Sequence, residues 1–476
     1  MPTELRNFLA IPYDELEEMN LNAKEQRKNR VAFHKIQEER LEYLTEEKRI
    51  KAVTVLFSDL EGRLHMLDYD KKFLIKSWDN LTFDGSSIRG FTAQRESDLR
   101  LGIDWSAFYW GPADIFGPGK VLVFGDVIDK GGTPYSADIR GILKTYAEGL
   151  HKKHGYTLNA ANEIEGFLFL GPDAERRYHE TGKFEYVNTG GYYHSLPSDV
   201  LRTFIDTTAE VQRAMGFQNE KDHPEVAPSQ FEINYGYGEV VAAADQIQLY
   251  KLVCRQVATK MGCTASFLPK PVVGVNGSGM HTNVSISKGG KNLFWDAKGE
   301  EKLSHMGWEF IDRILTHGND LCLLLNPSVN AYRRLDPHFE APNQIKASPT
   351  DRGSMIRIPI GNEKSMRVEV RSVAPDANPY LVMHSIFKTG VDGDTAKIKN
   401  LRQAQRYLPD NIYDALANFR NAEWTTKLLG EDVKARYADL KQASADRCPR
   451  LLGTFVKAPE VQYHHDVYNQ FLWNLF

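Results

Sequence analysis

Glu163 and Glu165 stand two residues apart in Ala161-Asn162-Glu163-Ile164-Glu165-Gly166-Phe167-Leu168-Phe169-Leu170. In a strand both side chains leave the same face. The run that follows is wholly apolar, so this strand enters a core. Two carboxylates side by side there repel each other and lose hydration unless a cation lies between them. For this pair alone, an exposed strand edge is the alternative. A second pair, Glu225 and Glu232, flanks Pro228-Ser229 in His223-Pro224-Glu225-Val226-Ala227-Pro228-Ser229-Gln230-Phe231-Glu232. Two short strands joined by that turn would present both carboxylates inward. His223 reads as a histidine of the core or behind the site, rather than as a ligand. A third segment, Met366 to Arg371, alternates: Arg367, Glu369 and Arg371 share one face, Val368 and Val370 the other. Taken by itself it reads as a solvated sheet surface.

Between these segments lies Gly274-Val275-Asn276-Gly277-Ser278-Gly279-Met280-His281-Thr282-Asn283. Its small residues let backbone approach a ligand closely, and a histidine follows at once. The loop lacks the Lys-Ser/Thr ending of a P-loop and the third glycine of a dinucleotide fingerprint. Together the segments supply five glutamates and one histidine on strand-like sequence, with several arginines nearby. Hard oxygen donors with one imidazole suit Mg²⁺ or Mn²⁺ better than Zn²⁺. Two such cations beside arginines make a site for phosphoryl transfer, where charge on phosphate oxygens must be neutralised and aligned.

The elements that must position these residues can be read from the patterning. Residues 13 to 48 are rich in Glu, Lys, Arg and Leu and predict one or two helices with charged outer faces. From Ile50, Val53-Thr54-Val55-Leu56-Phe57 predicts a buried strand, Ser58 to Gly62 a turn, and Leu64–Tyr69 a returning strand. Val121–Val127 predicts another. Residues 49–135 read as a small mixed domain after a helical extension, 1–48, and before a larger domain, 136–476. The segment Ser136–Lys153 predicts a helix capped by Ser136, with Arg140, Lys144 and Glu148 along one face. Residues 400–476 predict helices and end in an aromatic tail, Tyr468, Phe471, Trp473 and Phe476.

The chain has 476 residues, 26% of them charged, with a net charge of −4. That balance argues against a general nucleic-acid or membrane-surface binder. Its four cysteines, Cys254, Cys263, Cys322 and Cys448, form no CxxC pair, which predicts reduced thiols in a cytoplasmic protein. No apolar run reaches transmembrane length, and the N-terminus carries no secretory signal.

At this point the sequence resembles the glutamine synthetase family, class I in size, from about residue 50 to about residue 400. The resemblance rests on Glu163-Ile164-Glu165, on Glu225 to Glu232, on Asn276-Gly277-Ser278-Gly279-Met280-His281, and on Arg367 to Arg371. It implies an α+β fold: an N-terminal β-grasp domain, then a catalytic domain of antiparallel strands with flanking helices. It also implies a dodecamer of stacked hexameric rings, with active sites between neighbouring subunits.

By the same resemblance one metal is held by Glu165, Glu225 and Glu232, the other by Glu163, His281 and Glu369. Two or three Mg²⁺ or Mn²⁺ ions per site are implied. L-Glutamate would contact Glu165, Asn276, Gly277, Arg334 and Arg371. ATP would lie near Tyr237, Asn283, Ser285, Arg352, Lys364 and Arg367, with Arg352 and Arg357 meeting the transferring phosphate. Phe339-Glu340-Ala341-Pro342 matches a mobile flap whose Glu340 shields the intermediate. Phe83-Asp84-Gly85-Ser86-Ser87-Ile88 matches the N-terminal segment that reaches a neighbouring subunit's site, where Asp84 would favour ammonium and help deprotonate it, and Tyr192 would line the same pocket. The implied reaction is ATP-dependent ligation of ammonia to the γ-carboxylate of glutamate through γ-glutamyl phosphate. The alternative is an alkylamine, polyamine, ethanolamine or aromatic amine as acceptor, as in related γ-glutamyl-amine ligases. Pro224 replaces a common second histidine, Asp351 a common asparagine, and Arg95 to Pro118 departs from the usual N-terminal domain. A catalytically silent relative would show eroded ligands, and all six are present.

Overall fold

The computed structural model describes residues 10–92, 97–194, 196–336, 341–396 and 398–452. The acidic N-terminal stretch forms two helices, α1 (Tyr13–Lys28) and α2 (Phe33–Glu46). Next come β1 (Ala52–Ser58), β2 (Leu64–Asp70), β3 (Leu81–Asp84), β4 (Asp98–Trp110) and β5 (Lys120–Ile128). They build a five-stranded sheet in the order β2-β1-β5-β4-β3, with β1 parallel to β5. The strand run Val53–Phe57 is buried on both faces, which explains its unbroken apolar character.

Helix α3 (Ile139–His154) leads into the central strand β6 (Tyr156–Leu170). The expected Ser136 cap is not used. The helix starts at Ile139, with Asp138 at the cap position. Its carboxylate instead accepts from the Val127 amide at 2.9 Å, tying the helix to β5.

Helix α4 (Val200–Ala214), β7 (Asn219–Pro224), β8 (Gln230–Tyr235), β9 (Gly238–Glu239) and α5 (Val240–Lys260) follow. Then come β10 (Cys263–Ser266), β11 (Met280–Lys288), β12 (Lys291–Asn292), α6 (Val329–Arg334), β13 (Gln344–Ser348), β14 (Ser354–Arg357), β15 (Val368–Val370) and α7 (Pro379–Asp392). Among the described residues the second sheet runs β13-β14-β15-β11-β6-β8-β7, with β9, β10 and β12 pairing at its margins. One face of β6, β11 and β15 presents Ile164, Thr282, Val284, Val368 and Val370, all buried. Tyr250 of α5 donates to the Ile164 carbonyl at 3.0 Å, so this helix packs on that face. The opposite face is left to the charged residues.

The two sheets are joined through charge as well as packing. Arg140 of α3 is 1% exposed and bonds both oxygens of Asp245 on α5 at 2.8 and 2.9 Å, and Asp104 on β4 at 3.0 Å. It also pairs with Asp126 of β5. Lys144 reaches Asp104 and Asp126 at 2.9 and 2.8 Å, so Arg140 and Lys144 do not simply lie on an exposed face. Asn20 of α1 adds a polar bracket: its amide donates to the carbonyls of Trp110 on β4 and Ala214 on α4, each at 2.8 Å. Cys254, Cys263 and Cys322 are buried free thiols. No helix among the described residues is long and apolar enough to cross a membrane. The aromatic tail lies outside the described residues.

Burial by itself would raise the Asp104 carboxyl, but Arg140 and Lys144 hold it well below the usual range. Its stabilising contribution is therefore present above the unfolded carboxylate value, about pH 4, and is lost as pH falls toward the depressed native value. Arg140→Met should leave buried carboxylates unpaired and cost about 3–5 kcal/mol. Urea unfolding at neutral pH measures this cost. Repeating it between pH 7 and pH 3 should show a shallower loss in the variant than in the wild type.

Candidate active site

Strand register assembles the site on one face of β6 and its neighbours. Glu163 lies directly opposite His281 of β11, and Glu165 opposite Glu232 of β8. Asn283 of β11 faces Glu369 of β15, and Arg357 of β14 faces the same Glu369. His223 of β7 faces Glu232. Period-two alternation thus turns six strands of separate sequence into one polar surface.

Two ligand-type groups result. In one, the Nδ1 of His281 lies 3.7 Å from Glu163 and 3.7 Å from Glu369. In the other, the His223 ring lies 3.6 Å from Glu225 through Nδ1 and 3.6 Å from Glu232 through Nε2. Within each group the donor atoms lie within 4.8 Å of one another. Cation ligands about 2.1 Å from a common centre are separated by ~3 to ~4 Å, so both donor sets fit a hard divalent cation. The buried His223 Nε2 has no hydrogen-bond partner, which leaves it available as a donor. Burial, then Arg371, pushes the His281 imidazole down, toward the neutral form that ligates metals.

Electrostatics make the same point. Burial and then the charges of Glu225 and Glu232 push the Glu165 carboxyl well up. Burial and then Glu232 raise Glu225 to about 7. These are carboxylates short of positive charge. Glu369, fully buried, is neutralised within the chain: Arg371 donates to one oxygen at 2.7 Å and Arg357 to the other at 3.0 Å. The segment Met366 to Arg371 is therefore not the solvated surface that its alternation suggested when read alone. Glu369 faces inward because β15 lies between β14 and β11.

The glycine loop runs along this surface. A β carbon at Gly277 would stand 2.5 Å from the Pro269 carbonyl oxygen, and one at Gly279 2.4 Å from an Arg334 nitrogen. Only glycine lets the loop pass Arg334 so closely. Arg334, at the end of α6, donates to the Arg371 carbonyl at 3.1 Å. Its Nη1, and the Nε of Arg371, are buried without hydrogen-bond partners. Gln230 holds the loop from β8, donating to the Gly277 carbonyl at 3.0 Å and to Ser278 at 3.1 Å. Asn283 donates to Glu163 at 3.1 Å and accepts from Arg367 at 2.9 Å.

The remaining sequence-picked residues lie further out. Ser285 is two positions beyond Asn283 on β11, and Tyr237 follows the end of β8. Asn276 lies in the glycine loop, half-buried. Arg352 and Lys364 stand in the turns on either side of β14. Asp84 ends β3 in the other sheet, and its carboxylate accepts from Ser86 and Ser87 at 2.6 and 2.7 Å. Tyr192 sits with its ring 5.4 Å from that of His223. Glu340 lies outside the described residues. His223 was passed over in the sequence, although its two-residue offset from Glu225 is the same signal that picked Glu163 and Glu165. Gln230 and Tyr193 carry no such signal.

Two family models and several known proteins match this chain. Residues 49–130 match the model of the glutamine synthetase β-grasp domain, and residues 136–452 that of the glutamine synthetase catalytic domain. A glutamine synthetase of Clostridium saccharobutylicum is 35% identical over 424 residues, covering 85% of this chain and 94% of its own. One from Methanosarcina mazei is 35% identical, covering 84% and 92%. One from Staphylococcus aureus is 35% identical, covering 84% and 93%.

With chelator present, the raised Glu225 carboxyl should make stability fall as pH rises through about 7. The direction follows because a raised native value favours the protonated form, whose contribution to stability is complete only below the unfolded carboxyl value and is lost as pH rises through the native one. Mn²⁺ at a hundredfold over its Kd should restore about 2.7 kcal/mol per site. Glu232→Gln should raise the stability of the chelated protein and shrink the gain from Mn²⁺. Thermal melts with and without the ion check both.

Proposed function

The chain belongs to the glutamine synthetase family and is an ATP-dependent ligase, and from that premise we propose that it joins ammonia to the γ-carboxylate of L-glutamate. The observation that carries the reading is the pairing of two carboxylate–imidazole groups with two arginines, Arg334 and Arg371, each of which keeps one buried nitrogen, Nη1 and Nε respectively, without a hydrogen-bond partner. Glu163, His281 and Glu369 would hold one divalent cation. Glu165, Glu225 and Glu232, with His223 beside them, would hold the other. When bound, Mg²⁺ or Mn²⁺ would supply positive charge to the phosphate oxygens during phosphoryl transfer.

The chain's own residues take the remaining parts. Arg334 and Arg371 bind the α-carboxylate of glutamate by charge-assisted hydrogen bonds, with Asn276 and Gly277 lining its path. Arg367, Asn283, Tyr237, Ser285 and Lys364 surround the nucleotide. Arg352 and Arg357 stabilise charge as the γ-phosphoryl group passes to a γ-carboxylate oxygen. Ammonia then attacks the carbonyl carbon of γ-glutamyl phosphate, and the C–O bond to phosphate breaks. Asp84 takes the proton that ammonium loses, Tyr192 lines the ammonium pocket, and Glu340 shields the acyl phosphate from water. The division into a helical extension (1–48), a β-grasp domain (49–135) and a catalytic domain (136–476) belongs to the same reading, as does assembly into a dodecamer.

Phosphate release with ATP, glutamate and ammonium, compared with a panel of alkylamines, polyamines, ethanolamine and aromatic amines, tests the acceptor. Ammonium should give the highest kcat/KM. An organic amine better by orders of magnitude would overturn the ammonia reading and leave the ligase intact. Arg334→Gln should raise the KM for glutamate by about 10- to 100-fold, as expected for a lost charged hydrogen bond, and leave that for ATP unchanged.

A further inference from the structure

One loop beside the carboxylates is held in an unusual backbone conformation. Gly190 and Gly191 have φ of +83° and +131°, and Tyr193 follows at +60°. Glycine adopts such angles freely, whereas a bulky side chain does so only where its surroundings hold it there. The surroundings are the turn between Glu225 and Glu232. A β carbon at Gly190 would lie 2.6 Å from the Pro228 nitrogen, so the loop lies flat on that turn. Asn188 accepts from the amides of Gly190 and Ser229 at 3.1 and 2.8 Å. The Ser229 hydroxyl accepts from the Val187 amide at 2.7 Å, and the Tyr193 amide donates to the Pro224 carbonyl at 3.2 Å.

This conformation brings two phenols together. The rings of Tyr192 and Tyr193 have centroids 3.8 Å apart, and the Tyr192 hydroxyl donates to that of Tyr193 at 2.7 Å. The Tyr193 ring also meets the His223 ring edge-on at 4.7 Å, which fixes the pair against the Glu225–Glu232 group. Yet Tyr192 is 48% and Tyr193 57% exposed, so the strain is not repaid by burying apolar surface. What the arrangement does fix is where the Tyr192 oxygen sits, and with Tyr192 as the donor its proton is turned away from the site. A phenol has one proton to donate and two lone pairs with which to accept. With its proton given to Tyr193, the Tyr192 oxygen offers only lone pairs to the site. Ammonium has N–H donors and no acceptor, so it needs that orientation.

We propose that Tyr193 is a positioning residue that fixes the Tyr192 hydroxyl as an acceptor for the ammonium nitrogen, and so sets the affinity for the acceptor substrate. The inference rests on the reading that Tyr192 lines an ammonium pocket.

Steady-state kinetics of the full-length wild type, Tyr193→Phe and Tyr192→Phe, each with ammonium varied, test it. Tyr193→Phe keeps the ring contacts, so its melting temperature should match the wild type and folding is not in question. Its KM for ammonium should rise about three- to tenfold, the loss expected for one hydrogen bond. The kcat at saturating ammonium, and the KM values for ATP and glutamate, should stay within about twofold. A purely structural role would leave the ammonium KM unmoved or shift all three KM values together; either overturns the proposal. If Tyr192→Phe raises the ammonium KM and Tyr193→Phe does not, the proposal fails and the pocket reading stands. If Tyr192→Phe is also without effect, or the wild type does not turn over ammonium, the pocket reading itself fails and the proposal with it.

Discussion

Like charges brought together in a place with little water must be answered by opposite charge, and much of this molecule is arranged around that constraint. Glu163, Glu165, Glu225, Glu232 and Glu369 converge on one side of one mixed sheet. Glu369 is answered from within the chain by Arg357 and Arg371. The Glu165–Glu225–Glu232 group is not answered in this way, and the carboxyls of Glu165 and Glu225 are pushed up accordingly. The difference between the two halves identifies where external positive charge is needed most.

Holding such a surface together requires everything behind it to be apolar and close-packed. The buried face of β6, β11 and β15 and the helix α5 supply that backing. Glycine at two loop positions allows Arg334 to come up against the surface from the side. The same logic recurs between the sheets, where Arg140, Lys144 and Arg27 neutralise Asp104, Asp126 and Asp245. There the charges are balanced by the chain alone, so that cluster acts as a joint and needs no ligand.

The sequence disclosed the carboxylate surface to the extent that it depends on period two. Glu163 and Glu165 show themselves by spacing, and the turn between Glu225 and Glu232 shows itself by Pro228 and Ser229. What it could not disclose depends on which strands become neighbours. Glu369 looks solvated until β15 is seen between β14 and β11. That Arg140 and Lys144 share a helix face is legible, but what the face meets is not, until α3 is seen packed beside three aspartates. Ser136 looks like a cap, but the helix begins three residues later because Asp138 is committed to the Val127 amide. The Tyr192–Tyr193 contact depends on a left-handed backbone angle at a tyrosine, which no propensity favours.

Two carboxylate–imidazole groups with the spacing of these two would be separate seats for divalent cations. Calorimetric titration of the chelator-stripped protein with Mn²⁺ tests this most directly. Two seats should take up at least two ions per chain, with one site abolished by His281→Ala and the other retained. Binding of a single ion, or of none, or loss of all binding on removing His281 alone, would contradict it.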